Sequence, residues 1–155
     1  MPRTLQDDLQ QRKPFASLQQ EASLSVVRTS TALQDAGEDL FKPHGITGTQ
    51  YNVLRILRGS EPDGLCRNAL RDRMLTRMPD VTRLLDRMEK AGLVKRSREG
   101  TDRRMVSTQI TAAGKKLLAE IDPKVAAHHR RRMSHLSDAQ LHILVDLLTL
   151  VRNGP

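Results

Sequence analysis

This sequence predicts a mainly α-helical fold carrying one small β-hairpin, and three observations predict it. Apolar residues recur every three to four positions along most of the chain. Two short extended runs, Leu93–Arg98 and Met105–Ile110, interrupt that pattern. Between them lies Glu99-Gly100-Thr101-Asp102-Arg103-Arg104, a turn-forming and strongly basic tip.

Each element has its own signal. Leu18, Ala22, Val26, Thr29, Leu33, Ala36 and Leu40 place a long helix between Phe15 and Phe41, stopping before Pro43 and Gly45. Thr47 and Gln50 form a capping box: the hydroxyl accepts the third backbone N–H and the amide reaches back, so a helix follows over about Gly48–Arg58. Tyr51, Leu54 and Leu57 make its apolar stripe, and Gly59 to Gly64 with Pro62 break it. Arg67–Met74 reads as a short helix with Ala69, Leu70 and Met74 inward and Cys66 at the cap position. After a tight turn, Thr76 or a neighbour caps the next helix and Pro79 suits its first turn. Val81, Leu84, Leu85 and Met88 repeat there at i, i+3, i+4, i+7, with Asp80, Thr82, Arg83, Asp86, Arg87 and Lys90 around the other side. Gly92 ends this helix through its freedom at positive φ. Beyond the hairpin, Thr111 caps a helix through Lys115, Leu117, Leu118 and Ile121, which Pro123 should kink or interrupt before Val125–Met133 continues. Ser137 with Gln140 opens a last helix, Asp138–Arg152, whose apolar residues exceed what one face of an exposed helix carries. A second subunit covers that surface in the preferred reading; an internal helical core is the alternative.

Composition narrows the function classes. The 155 residues suit one compact lobe wrapped by interface helices, and 37% hydrophobic with 28% charged residues describes a soluble chain. The N-terminal MPRTLQDDLQQRKP lacks the apolar core of a secretory signal, so a cytoplasmic location is expected. A formal net charge of +8 predicts attraction to polyanions. That charge is localised: residues 67–104 hold twelve basic and six acidic side chains, residues 1–45 five and six. Aromatics at 2% leave too few platforms for stacking exposed bases, which disfavours single-strand readers and leaves duplex DNA.

Two short helices followed by a basic hairpin therefore read as a winged helix-turn-helix: a helix fits the major groove and a hairpin enters the neighbouring minor groove. Residues 46–111 form this reading lobe, and residues 1–45 with 112–155 form a helical dimerisation region. Pro79, Asp80, Thr82 and Arg83 approach base edges, with Arg77 and Arg87 toward phosphates. Arg83 is the best base reader, since its guanidinium can span O6 and N7 of a guanine. Asp80 either accepts from a cytosine amino group or answers the helix dipole. In the wing, Asp102 caps the turn beside Arg103 and aims Arg104 at a narrow minor groove.

The runs Ile46–Leu54, Val81–Val94 and Asp102-Arg103-Arg104, with Ile110, Thr111 and Gly114 after the wing, resemble the MarR family of transcriptional regulators. The resemblance runs from about residue 15 to the end. It implies a homodimer with interlocked terminal helices, two recognition helices in successive major grooves, and a palindromic operator. It also implies a regulator, preferentially a repressor, released when a small aromatic or anionic ligand enters a cleft between the dimer helices and the reading lobe. Cys66 departs from the Ser, Thr or Pro common before the third helix, and the Gly59–Gly64 loop looks inserted.

Some residues carry two readings. Cys66, at a helix N-terminus beside Arg67, is a candidate redox sensor or a small packed residue beside Leu65 and Ala69. Phe41, His44 and Tyr51 can line a ligand cleft, although core packing is the better default for all three. His128-His129-Arg130-Arg131-Arg132 reads as a solvated basic face, with no metal-ligand spacing. No nucleophile–base set, phosphate-binding glycine loop or metal triad is evident, so no enzyme activity and no cofactor are expected. A non-specific architectural DNA-binding protein and a helical protein–protein adaptor are the competing functions.

Overall fold

A computed structural model describes residues 3–98 and 106–154. The wing tip, with Asp102, Arg103 and Arg104, lies outside the described residues. Helices α1 (Leu5–Asp8), α2 (Leu18–Glu38), α3 (Gly48–Arg58), α4 (Arg67–Arg73), α5 (Val81–Lys90), α6 (Ala112–Met133) and α7 (Asp138–Arg152) surround strands β1 (Leu65–Cys66), β2 (Val94–Ser97) and β3 (Ser107–Ile110). The sheet is antiparallel in the order β1-β3-β2, with Leu65 opposite Thr108 and Val94 opposite Ile110.

Local chemistry sets the helix starts. Thr47 and Ser137 both close full capping boxes, with Gln50 and Gln140. Ser17 accepts from the Gln20 amide at 3.1 Å, so α2 begins at Leu18 rather than near Phe15. A fourth start, not anticipated, is the Thr4–Asp7 box that opens the one-turn α1. Helix α2 ends at Glu38, and Lys42–His44 adds a 3₁₀ turn closed by Gly45 at φ 68°.

Three expectations need correction. Helix α5 is capped by Asp80 rather than Thr76, and Pro79 stands outside the helix instead of in its first turn. The proline drives Met78 away from helical torsions, so the helix can nucleate only after it. Pro123 does not interrupt α6, which runs through to Met133. Its exposed ring faces outward, while buried Leu118, Ile121 and Val125 hold both halves to the core. Finally, Leu65 and Cys66, expected only to precede a helix, add the third strand against β3.

The core gathers Leu54, Leu57, Leu70, Leu85, Met88 and Leu118 under the sheet, none more than 2% exposed. It belongs to the segment from Phe41 to Val125. Helices α2 and α7 contribute no buried residue. On α7, Ile143, Val145, Leu147, Leu150 and Val151 are 55% to 70% exposed. Gly114 explains a glycine in the first turn of α6: a Cβ there would stand 2.4 Å from the Leu93 carbonyl and 2.8 Å from Ile110. The helix can lie against the sheet only without that side chain.

Candidate nucleic-acid interface

Helix α5 divides cleanly into two faces. Val81, Leu84, Leu85 and Met88 are buried, and Thr82, Arg83, Arg87 and Lys90 are exposed. Its start is fixed by Asp80, whose Oδ1 accepts the Arg83 amide at 2.9 Å. The second oxygen lies 3.5 Å from Arg83 Nε, so this carboxylate is already engaged at the helix end. The Arg83 side chain is 81% exposed and points away from the core. Arg87 Nε donates to the Arg83 carbonyl at 3.4 Å, and Arg77 and Pro79 are exposed in the turn before the helix. Arg67, at the start of α4, donates to the Thr82 hydroxyl at 3.2 Å and ties the two helices together.

The far end of α5 turns into the sheet through Gly92, at φ 73°. The Gly92 amide donates to the Glu89 carbonyl at 2.9 Å and the Leu93 amide to the Met88 carbonyl at 3.0 Å, the paired bonds of a glycine helix stop. Strand β2 follows at once, and Arg96 returns to α5. Its Nε and Nη2 donate to Glu89 Oε2 at 2.9 and 2.6 Å, Nη2 meets Asp86 Oδ1 at 2.7 Å, and its backbone N–H donates to Glu89 Oε1 at 3.0 Å. The bonds from Arg96 hold the Glu89 carboxyl below the usual carboxylate range. Asp86 belongs to the polar face that helical spacing marks, but its pairing with Arg96, like that of Glu89, carries no such mark, because the partners lie ten and seven residues apart across a strand turn.

A cavity of about 820 Å³ opens between α2, α3 and α6. Phe41 and Tyr51 line it, their ring centroids 5.0 Å apart, whereas His44 does not. His44 instead sits 3.2 Å from Lys124 Nζ, because the 3₁₀ turn directs it along α6. His128 corrects another expectation: it is buried beside this cavity rather than solvated, because it shares the inward face of α6 with Val125. Burial lowers its pKa, and His129, Arg131 and Arg132 add to the effect. Arg55 and Arg132 also reach the cavity.

The Tyr51 hydroxyl donates to Asp122 Oδ1 at 2.7 Å, and Arg58 Nη1 donates to Oδ2 at 2.6 Å. Burial first, and then Asp122, push the phenol up to about 12. Cys66 is half-buried at the cap of α4, makes no side-chain cap bond, and lines a groove of about 340 Å³ with Arg67, Thr82 and Arg96. Among the described residues, no group of three His, Cys, Asp or Glu side chains is placed to hold a metal ion. No described helix is long and apolar enough to cross a membrane.

Two packed helices with a tight turn, followed by a sheet whose β2 and β3 flank the wing, define a winged helix-turn-helix protein. The model of the MarR family matches residues 44–105. MhqR of Bacillus subtilis, an HTH-type transcriptional regulator, is 31% identical over 110 residues, covering 70% of this chain and 73% of MhqR. A MarR transcription factor from Planctomyces limnophilus is 39% identical, covers 88% of this chain and 99% of its own, and superposes with a TM-score of 0.66. CouR has been solved as a transcriptional repressor on a 23-mer DNA duplex, and that chain superposes at 0.78 with 22% identity, over 91% of this chain and 99% of its own. CouR from Rhodococcus jostii RHA1 bound to p-coumaroyl-CoA superposes at 0.73 with 23% identity, over 88% and 95%. At those identities the likeness is one of fold. The chain belongs to the MarR family of transcriptional regulators. It is therefore a regulator and not an enzyme.

Proposed function

We propose that the protein is a homodimeric, sequence-specific repressor that lays α5 of each subunit in the major groove of a near-palindromic operator. The split of α5 into a buried apolar face and an outward Thr82–Arg83–Arg87 face carries this reading. A helix with that division is anchored firmly enough to present its polar side chains to base edges. Arg83 reads a guanine, Thr82 meets a thymine methyl, Arg77 and Arg87 grip phosphates, and Asp80 with Pro79 fixes where the helix begins. Arg103 and Arg104, beside Asp102 in the sequence, are assigned to the flanking minor groove.

Dimerisation is supported by α2 and α7, which contribute no fully buried residue within one chain while presenting apolar side chains outward. The two terminal segments thus form the dimer region around lobe 46–111. With recognition helices one duplex turn apart, half-site centres lie about 10 base pairs from each other. The cavity behind α3 takes a small anionic ligand with an apolar body, whose entry weakens DNA binding. Arg55 and Arg132 supply positive charge there, and Phe41, Tyr51 and Val125 an apolar wall.

Selection from random duplex DNA at physiological salt tests the reading, run beside an Arg83→Ala/Arg104→Ala variant. A recovered palindrome that the variant does not enrich is the expected result. Salt-sensitive binding without an enriched sequence would instead indicate a coating protein, and absence of binding an adaptor.

A further inference from the structure

We propose that Arg96 is a positioning residue that locks the root of the wing to α5, so that the two DNA-facing elements move as one rigid body. The inference rests on the DNA-reading role proposed above for α5. Strand β3 is held on its other side by β1, whereas β2 is an edge strand whose ladder partner is β3 alone. The described part of the hairpin is four paired residues on each strand, so β2 relies on its side chains for a tie to the rest of the lobe. Arg96, near the end of β2, is the residue whose side chain reaches α5. Opposite it on β3 is Thr108, fully buried, which keeps the arginine stem on the helix side of the sheet.

The chemistry favours arginine in this role. One planar fork satisfies two carboxylates from successive turns of α5, while the backbone N–H of the same residue reaches the second oxygen of Glu89. A lysine supplies one point charge and cannot hold both. The guanidinium side chain is 27% exposed, so it is partly withdrawn from water and its bonds are less screened than those of a surface pair.

Charge gives the same residue a second consequence. Asp86 and Glu89 lie on the helix that faces the duplex, where bare carboxylates would oppose the phosphates. With Arg96 in place the three groups sum to −1; without it they sum to −2. Loss of Arg96 therefore both frees the wing and adds repulsion, although the arginine itself touches no DNA.

The test measures operator affinity across a salt series for the full-length protein and three variants: Arg96→Met, Arg96→Lys, and the charge exchange Glu89→Arg/Arg96→Glu. Arg96→Met is expected to weaken binding by about tenfold or more, with the slope of log affinity against log salt changed by less than one for each subunit, since no phosphate contact is lost. Arg96→Lys should recover only part of that loss, and so should the exchange, which restores the pair between positions 89 and 96 but leaves Asp86 without its cation. A slope that falls by roughly one for each subunit would show a direct phosphate contact and overturn the proposal. So would an exchange variant that melts like the parent yet gains nothing over Arg96→Met. Amide hydrogen exchange without DNA provides the independent readout. Arg96→Met should speed exchange in β2 and the last turn of α5 while leaving α3 unchanged, and equal protection in parent and variant would refute the lock. If the parent selects no operator, the DNA-reading role fails on its own account, and exchange alone decides whether Arg96 couples wing and helix.

Discussion

Tyr51 is the only tyrosine in a chain without tryptophan, so its ionisation can be followed by ultraviolet absorbance without interference. Burial and the bond to Asp122 raise its pKa, and the phenolate should appear with a midpoint near 12. Asp122→Asn should lower that midpoint yet leave it above the ordinary value, because burial persists. The sign for stability follows from linkage. The folded pKa is raised, so the stabilisation is complete below about pH 10, where an unfolded tyrosine ionises, and is lost as pH climbs toward the folded value. Denaturation by urea should therefore become easier between those two pH values, and less so in the Asp122→Asn variant. At the interface, Arg83→Ala should relax discrimination at one base position per half-site by about 1–3 kcal/mol. Uniform weakening across every operator base, read by competition with single-base operator variants, would mean that Arg83 touches only phosphate.

At the scale of single elements, the close approach of α6 to the sheet makes Gly114 and Gly37 an informative pair. Gly114→Ala would force a Cβ against the Leu93 backbone carbonyl, which cannot step aside cheaply, and should destabilise by about 1–3 kcal/mol in urea titration. Gly37→Ala meets nothing within 4 Å inside α2 and should be neutral or stabilising by about 0.5–1 kcal/mol. Equal effects would show that helix propensity, not contact with the sheet, governs both positions.

Elements were legible where their cause is local. The boxes at Thr47 and Ser137, the stop at Gly92 and the inward stripe of α5 each depend on residues within one or two turns. What escaped depends on distant partners. Strand β1 is two residues long and exists only because β3 lies beside it; the Arg96 clamp and the Tyr51–Asp122 bond join separate elements. The Thr4 box was missed for another reason: its third residue is Asp rather than Glu or Gln. His44 is three residues from Phe41 but does not share its cavity, because the 3₁₀ turn between them sends the two side chains in different directions.

For the whole molecule, the exposed apolar rows of α2 and α7 predict that stability depends on protein concentration. In the proposed dimer their cover is the other subunit, and the melting temperature should rise steadily as the protein is concentrated. A melting temperature independent of concentration, with sedimentation as a monomer, would remove the basis for the dimer. Operator binding should also weaken by about 10³–10⁵-fold between 50 and 200 mM salt if each dimer makes about 6–10 phosphate contacts. Fluorescence anisotropy on the selected duplex measures that directly.

The bare α7 has one consequence for gene control. If α7 finds its partner in another copy, as proposed, the supply of assembled protein falls faster than the supply of chains. Where free chains predominate, halving them leaves about a quarter of the dimers by mass action. For the proposed repressor, dilution at cell division or a slackening of synthesis would then loosen the operator disproportionately, adding dosage to the proposed ligand as a route to release.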